Sequence, residues 1–291
     1  RRARNEPTHL LEWPQHYFDE GAERVIIIDN DSSPPIIVSH QNVTVLKGRM
    51  QAGDDKLRKE MVGVEQVMFA CKKLGYTWAA SVDLDEYITT KRNTGRTLMA
   101  ELRASFAHAD AIGVPWVLMM NKKQHEPASV LVDIDHRWNQ DVRHKYSNAA
   151  FMLKFRDRYG WMEQKYLVRL AKLRAHQNPH EVALTRPSVI VEGVFGNRTG
   201  VHRKTQAAPR KFRRLSEEKI ASALLLAYHY RFTSMDAIAR KCSNSSSLNF
   251  YKEGERCIKA ASAFVREEVQ DTTLADKTRA RRLAREASHT H

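Results

Sequence analysis

The chain is poor in cysteine, with three in 291 residues: Cys71, Cys242 and Cys257. No C-x-x-C or Cys/His spacing is present, which speaks against a structural zinc site. An odd count speaks against a disulfide framework. Cys71 falls in a helical apolar run with Val67, Met68 and Leu74 and reads as a core residue, whereas Cys242 and Cys257 could pair in an oxidising compartment. There is no run of 18 apolar residues, so no segment reads as a membrane-spanning helix. No signal peptide is visible. The sequence opens on Arg1-Arg2-Ala3-Arg4-Asn5 without a methionine, which leaves room for an anchor or targeting segment upstream. Internal repeats and recognisable RNA- or DNA-binding motifs are also missing.

What is present is enough apolar residue for a real core, 42 %, and a large excess of positive charge. Lys plus Arg number 48 against 34 Asp plus Glu, a formal net charge of +14. Such a surface attracts polyanions, phosphate-bearing ligands or an anionic membrane. A nucleotide diphosphate needs only two or three of those cations, so most of the excess reads as solvated surface.

Along the chain the apolar pattern alternates between two periods. Glu6 to Glu20 reads as a helix stopped by Gly21, and Arg24 to Asp29 as a buried strand ending in acid. Asn30 to Pro35 carries every loop signal. Val43 to Leu46 is a short strand, Lys56 to Leu74 a helix ended by Gly75, and Trp78 to Val82 a buried strand. Leu98 to Phe106 is helical and Ala111 to Met120 strand-like. This alternation predicts an α/β fold with a mostly parallel sheet flanked by helices. Such sheets bind ligands at the carboxyl ends of their strands, where Asp29, Asp83 and Asp85 fall. Residues 121–215 are less regular. From Ser216 the pattern turns helical: Ile220 to Ala227, Met235 to Lys241, and Leu248 into the 280s. We expect a catalytic region over 1–215, with a nucleotide-binding half to about residue 120 and an acceptor half beyond it. A helical extension over 216–291 would follow, ending in a basic tail.

The segment that carries chemistry is Trp78-Ala79-Ala80-Ser81-Val82-Asp83-Leu84-Asp85-Glu86-Tyr87. On extended backbone, residues two apart point the same way, so Asp83 and Asp85 would present their carboxylates together. Mn²⁺ or Mg²⁺ prefers oxygen ligands, and a diphosphate supplies more of them. The metal would neutralise charge on a departing nucleotide diphosphate. A lone D-x-D is a weak signal, and its position after a buried strand is what raises it. Asp133-Ile134-Asp135 is a second D-x-D without such a strand, and reads as a substrate-side loop or ordinary surface acid.

Further matches surround that motif. Arg4-Asn5-Glu6 with Leu10-Leu11-Glu12-Trp13, His16 and Gly21 resembles the opening of glycosyltransferase family 92 and the related family-2-like bacterial enzymes. Arg24 to Ser33 resembles that group's first full strand and nucleotide loop, and Trp78 to Tyr87 its D-x-D-E-F segment. Lys165 to Arg169 with His176, and Ala227 to Tyr230 with Thr233-Ser234-Met235-Asp236 and Lys241, resemble later segments in the same order. Thr233 stands where the group has Lys, and Pro34-Pro35 where it has acid. The first strand is short at its start.

The resemblance implies a GT-A fold, a Rossmann-like nucleotide half joined to an acceptor half. It also implies metal-dependent sugar transfer from a nucleotide-diphosphate sugar to a glycan or other hydroxyl, with inversion. It puts Asn5 and Glu6 near the nucleotide, and Asp29 and Asp31 at its base or ribose. Asp83 and Asp85 would be the metal–diphosphate carboxylates, with Glu86 holding the loop. His176, His180, His202 and His229 form the pool for a further metal ligand or diphosphate contact. His176 (as metal ligand) and His229 (as diphosphate contact) match the group's positions. Lys165 and Arg169 would neutralise phosphate. Inverting transfer needs a general base, and Glu163 beside Trp161 is the first candidate, with Asp135 and Asp133 behind it. The expected cofactor is Mn²⁺ or Mg²⁺. No nucleic-acid partner is expected, and the basic surface allows peripheral membrane contact. The expected location is the Golgi lumen for a eukaryotic chain with an upstream anchor, or the cytoplasm for a bacterial or viral one.

Two other readings compete. Asp83-Leu84-Asp85-Glu86 is similar to the nucleophile motif of haloacid-dehalogenase-type phosphatases, with Asp83 as nucleophile and Asp85 as acid/base. Tyr87 and Ile88 stand where that motif wants Thr. The charge alone also fits a basic nucleic-acid binder.

Overall fold

The computed structural model describes residues 2–3, 7–30, 32–48, 56–138, 161–178, 180–185, 187–194, 200–202, 211–213, 215–243 and 268–289. These form a mixed α/β structure that divides into two compact units. The first comprises residues 1–116, 163–212 and 222–227, and the second 117–162, 213–221 and 228–291.

The first unit begins with a parallel three-stranded sheet: β1 (Arg2–Ala3), β2 (Val25–Asp29) and β3 (Val43–Lys47), in that order. Helix α1 (Pro7–Asp19) joins β1 to β2. It stops where the sequence predicts, at Gly21, whose φ of +92° is left-handed backbone. A Cβ there would also meet Met99 Cβ at 2.9 Å, so glycine is required twice over. Helix α2 (Lys56–Lys73) ends at Gly75, φ +85°, and leads into β4 (Trp78–Ala80). A tight loop then reaches β5 (Glu86–Thr90), every residue of which is buried. Helix α3 (Leu98–Ser105) starts on an N-cap, Thr97, whose side chain accepts the Ala100 N–H. Strand β6 (Ala111–Met120) is the long apolar run predicted from its sequence.

The larger sheet is mixed rather than mostly parallel. Its path runs β12 (Gly200–His202), β11 (Val189–Glu192), β6, β14 (Leu225–Phe232), β5. Strand β8 (Trp161–Arg169) lies antiparallel to β6 and, on its other side, antiparallel to β4. Strand β11 is parallel to β6, and β12 antiparallel to β11. Strands β9 (Leu173–Asn178) and β10 (Glu181–Leu184) form a separate antiparallel ribbon. The parallel character read from the first 120 residues therefore holds for β1 to β3 and for the β6–β11 pair. The reason it fails elsewhere is β8, a strand from the poorly patterned middle of the chain that inserts antiparallel between β4 and β6.

The second unit carries the end of β6, which pairs with β7 (His136–Trp138), itself paired with β15 (Glu268–Gln270). Its helices are α4 (Val130–Asp133), α5 (Glu217–Ala221), α6 (Met235–Ser243) and α7 (Thr273–His289). Around Arg137 lies a buried polar network. Its guanidinium donates to Asp271 at 2.9 Å and to both oxygens of Glu217, and Asp271 accepts the Thr273 hydroxyl. The predicted helix over Ile220–Ala227 is corrected here. Helix α5 stops at Ala221 and Leu225–Phe232 is a strand, because Leu225 to Tyr230 are buried at every position, which leaves no helical period. Of the long helix predicted from Leu248 into the 280s, residues 273–289 are helical as α7, Glu268–Gln270 is instead strand β15, held by its pairing with β7, and 248–267 lie outside the described residues.

Candidate functional site

The Asp83–Glu86 segment is a β-turn. Asp83 O accepts the Glu86 N–H at 2.9 Å, and Glu86 Oε2 accepts the Asp83 N–H at 2.7 Å. The two residues thus satisfy each other's backbone reciprocally, which fixes the turn from both ends. Leu84 at its tip is fully buried and anchors it. Strand β4 has ended at Ala80, so Asp83 and Asp85 hold the first and third positions of the turn rather than alternate positions of a strand. Shared facing by strand alternation, the sequence-based argument, does not apply to them. Asp83 keeps its side chain 40 % exposed, whereas Asp85 and Glu86 are buried.

Lys165, on β8, reaches this turn from across the sheet. In the antiparallel register Ala80 faces Leu167, which carries Lys165 up to the level of the turn. Its Nζ lies 3.0 Å from Glu86 Oε2 and 3.2 Å from Asp83 Oδ2. Lys165 has no solvent exposure and Glu86 only 1 %. A buried ammonium and a buried carboxylate are each costly alone, so their pairing is required by the fold whatever the turn binds.

Helix α1 braces the same turn. Trp13 Nε1 donates to the carbonyls of Asp83 and Glu86, both at 3.1 Å. Tyr17 Oη donates to Glu86 O at 3.0 Å and accepts the Ile88 N–H at 3.2 Å. His16 Nε2 lies 3.0 Å from Ile88 O, so that nitrogen carries a proton. Trp13 and His16 entered the sequence reading as helix positions and as part of the resembling opening segment, without a role at the turn, and Tyr17 was not singled out. The signal for their role was their spacing, three and four apart, which puts Trp13, His16 and Tyr17 on adjoining turns of one face.

The other expected site residues are placed as follows. Asp29 spends its carboxylate on its own loop: Oδ1 accepts the Ser32 N–H and Oδ2 the Ile36 N–H. Burial pushes its pKa up, but those bonds outweigh it and hold the group below its ordinary value. Arg169 sits on the same face of β8 as Lys165 but four residues further on, about 13 Å at the usual strand rise. It stacks on Trp78 with 4.7 Å to the ring centre and donates to the carbonyls of Ala107 and Ala109. His176 is buried on β9, where its backbone N–H donates to Glu65 Oε1. His180 Nδ1 donates to Gln164 O, next to Lys165. Glu163 lies on β8 in the first unit, with its side chain and that of Trp161 outside the described residues, as is the side chain of His202. Asn5, Glu6 and Asp31 also lie outside them.

Asp135 and His229 belong to the second unit. Burial raises the Asp135 pKa, but bonds from Gln270 and His136 bring it below its ordinary value. Asp133 accepts the Ser129 N–H at the start of α4. Both acids of the second D-x-D are thus engaged in local structure.

Among the described residues no group of three or more His, Cys, Asp or Glu is placed to hold a metal ion. The turn carries Asp83, which is 40 % exposed at its side chain, and the buried Asp85 as its candidate oxygen donors, while Glu86 accepts from Lys165 and the Asp83 amide. That donor set fits a hard divalent cation only if a ligand brings further oxygens. No helix of the described residues is long and apolar enough to cross a membrane. No protein-family model matches the chain, and no curated protein matches it.

Proposed function

We propose that the chain is a metal-dependent glycosyltransferase of GT-A type, which binds a nucleotide-diphosphate sugar through Mn²⁺ or Mg²⁺ at the Asp83–Glu86 turn. The observation that carries this reading is the charge arrangement there. Two carboxylates, Asp83 and Glu86, lie against one buried ammonium, Lys165, and Asp85 adds a third acid to the same turn, so its acids outnumber that cation. A divalent cation matches that deficit. Asp83 and Asp85 would hold that cation, and a bound diphosphate would supply it with further oxygens. When bound, the metal supplies Lewis-acid stabilisation of the departing diphosphate.

The protein's own part is to preorganise. The α1 side chains and the Glu86–Lys165 pair hold the turn so that Asp83 meets the cation without reorganising. Lys165, fully buried beneath the turn, holds Asp83 Oδ2 from below at 3.2 Å and offsets part of the charge there. Glu163 is proposed as the general base, and a glycan or other hydroxyl compound as acceptor.

The reading is tested by a thermal-shift panel of nucleotide-sugars with and without Mn²⁺. A stabilisation that needs both the metal and one class of nucleotide, followed by release of the nucleoside diphosphate on adding a glycan acceptor, supports it. Hydrolysis of a phosphate monoester without any sugar donor would replace it with the phosphatase reading.

A further inference from the structure

Strand β8 is paired on both sides, but over different lengths. Strand β4 ends at Ala80, opposite Leu167, while β6 continues and carries Val114 opposite Lys165. The backbone of Lys165 is thus fixed by β6, and its side chain meets the Asp83–Glu86 turn beyond the end of β4. That side chain has no solvent exposure, and Gln164 and Tyr166 beside it in the strand are buried too. An ammonium so placed stays where it is when another cation arrives.

Two carboxylates share that ammonium. Glu86 Oε2, 3.0 Å from Nζ, belongs to a side chain only 1 % exposed and also accepts the Asp83 N–H at 2.7 Å. Asp83 Oδ2, 3.2 Å from Nζ, belongs to a side chain 40 % exposed. Asp83 is therefore where a cation from solvent and the resident ammonium meet on one carboxylate. Their repulsion acts at a buried charge, which salt screens little. The backbone of the turn has separate holders: Trp13 donates to the carbonyls of Asp83 and Glu86, and Tyr17 to that of Glu86. These are neutral donors, so the shape of the turn does not rest on the ammonium alone.

Building on the metal–diphosphate reading above, we propose that Lys165 is a resident counter-cation that makes divalent-metal binding at Asp83 conditional on the diphosphate. A metal ion arriving alone adds two positive charges beside an ammonium that already offsets Asp83. A metal ion arriving with a diphosphate comes with negative charge that offsets both cations. Metal and nucleotide then bind as a cooperative pair. The coupling is reciprocal: the nucleotide tightens the metal by the factor by which the metal tightens the nucleotide. The metal is taken up with the substrate rather than held between turnovers.

Mn²⁺ binding, read from the loss of the free-ion electron paramagnetic resonance signal, tests this in the parent and in Lys165→Gln checked for native melting. Each is titrated alone and with uridine, guanosine, cytidine or adenosine diphosphate, and protein-free mixtures give the Mn²⁺ held by the nucleotide itself. In the parent the expected coupling between Mn²⁺ and at least one nucleotide is about tenfold or more, within the ~5–150-fold range usual for linked sites. Lys165→Gln is expected to bind Mn²⁺ alone about tenfold more tightly than the parent and to lose most of the coupling. A turn merely loosened by the substitution would bind Mn²⁺ more weakly, so the sign separates a charge effect from a structural one. Unchanged or weaker Mn²⁺ binding by folded Lys165→Gln overturns the proposal, and so does a parent that binds Mn²⁺ equally well with and without nucleotide. Both results leave the metal–diphosphate reading standing. A parent that takes up no Mn²⁺ with any of the nucleotides overturns that reading and the proposal together. Should Lys165→Gln fail to fold, the parent decides: Mn²⁺ uptake that needs the nucleotide supports the proposal, and uptake that does not need it overturns it.

Discussion

Lys165 Nζ stands 3.0 Å from Glu86 Oε2, and both side chains are sealed from solvent. Breaking a buried pair by removing one partner leaves an uncompensated charge, at a typical cost of about 3–5 kcal/mol. Lys165→Met is therefore expected to lose stability on that scale in urea unfolding. Asp83→Asn, at a side chain 40 % exposed, is expected to change stability by less than about 1 kcal/mol. Equal losses in the two variants would contradict the separation drawn between the residue that holds the turn and the residue that faces the ligand.

Trp13 makes the second prediction. Its indole N–H is shared between the carbonyls of Asp83 and Glu86. Trp13→Phe keeps much of the ring and removes the donor, with an expected loss of about 1–2 kcal/mol. Because the turn loosens, Mn²⁺-dependent nucleotide affinity should fall as well. A variant that melts early yet binds with unchanged affinity would show that α1 supports the fold and not the site.

Acid provides the third. Glu101 has no solvent exposure, and burial pushes its carboxyl up, but bonds from Ser105, Asn93 and Arg96 outweigh that and hold it below its ordinary value of 4.5. A carboxyl depressed in the folded state binds its proton more weakly there than in the unfolded chain. Its stabilisation is complete above 4.5 and is lost as the pH falls through the folded-state value. Unfolding experiments at neutral pH and near pH 3.5 should show Glu101→Gln less stable than the parent at the first, with the gap narrowing at the second. A gap that widens in acid would reverse the sign.

In the second unit Arg137 compensates Asp271, whose side chain is 1 % exposed, and also pairs with Glu217. Arg137→Met strands a buried carboxylate and should cost about 3–5 kcal/mol, with Asp271→Asn partly restoring the loss in the double variant. Additive losses in that cycle, measured by denaturant unfolding, would mean that the pair is not coupled.

The local elements were largely legible because their signals are local. Gly21 and Gly75 stop their helices where left-handed backbone is needed, and Ala111–Met120 is an apolar run long enough to declare itself. Sheet direction was not legible, since it depends on β8, whose place between β4 and β6 is a long-range pairing. The acidic motif was found, but its geometry was not. Residues 83–86 close a turn that Glu86 pins locally and that Trp13 and Lys165 hold from 70 and 82 positions away in the chain. At Asp29 the local bonding was only half legible: an acid ahead of serine signals the Ser32 N–H on Oδ1, whereas the Ile36 N–H on Oδ2 comes from seven residues on and has no such signal.

The central claim is that Asp83 and Asp85 bind a diphosphate through a divalent cation, and calorimetry tests it most directly. Nucleoside diphosphates are titrated into the protein with Mn²⁺, with Mn²⁺ chelated, and into Asp83→Ala and Asp85→Ala variants checked for native melting. The account predicts binding of at least one nucleoside diphosphate that needs the metal and disappears in both variants. Metal-dependent binding that survives unchanged in both folded variants would contradict it.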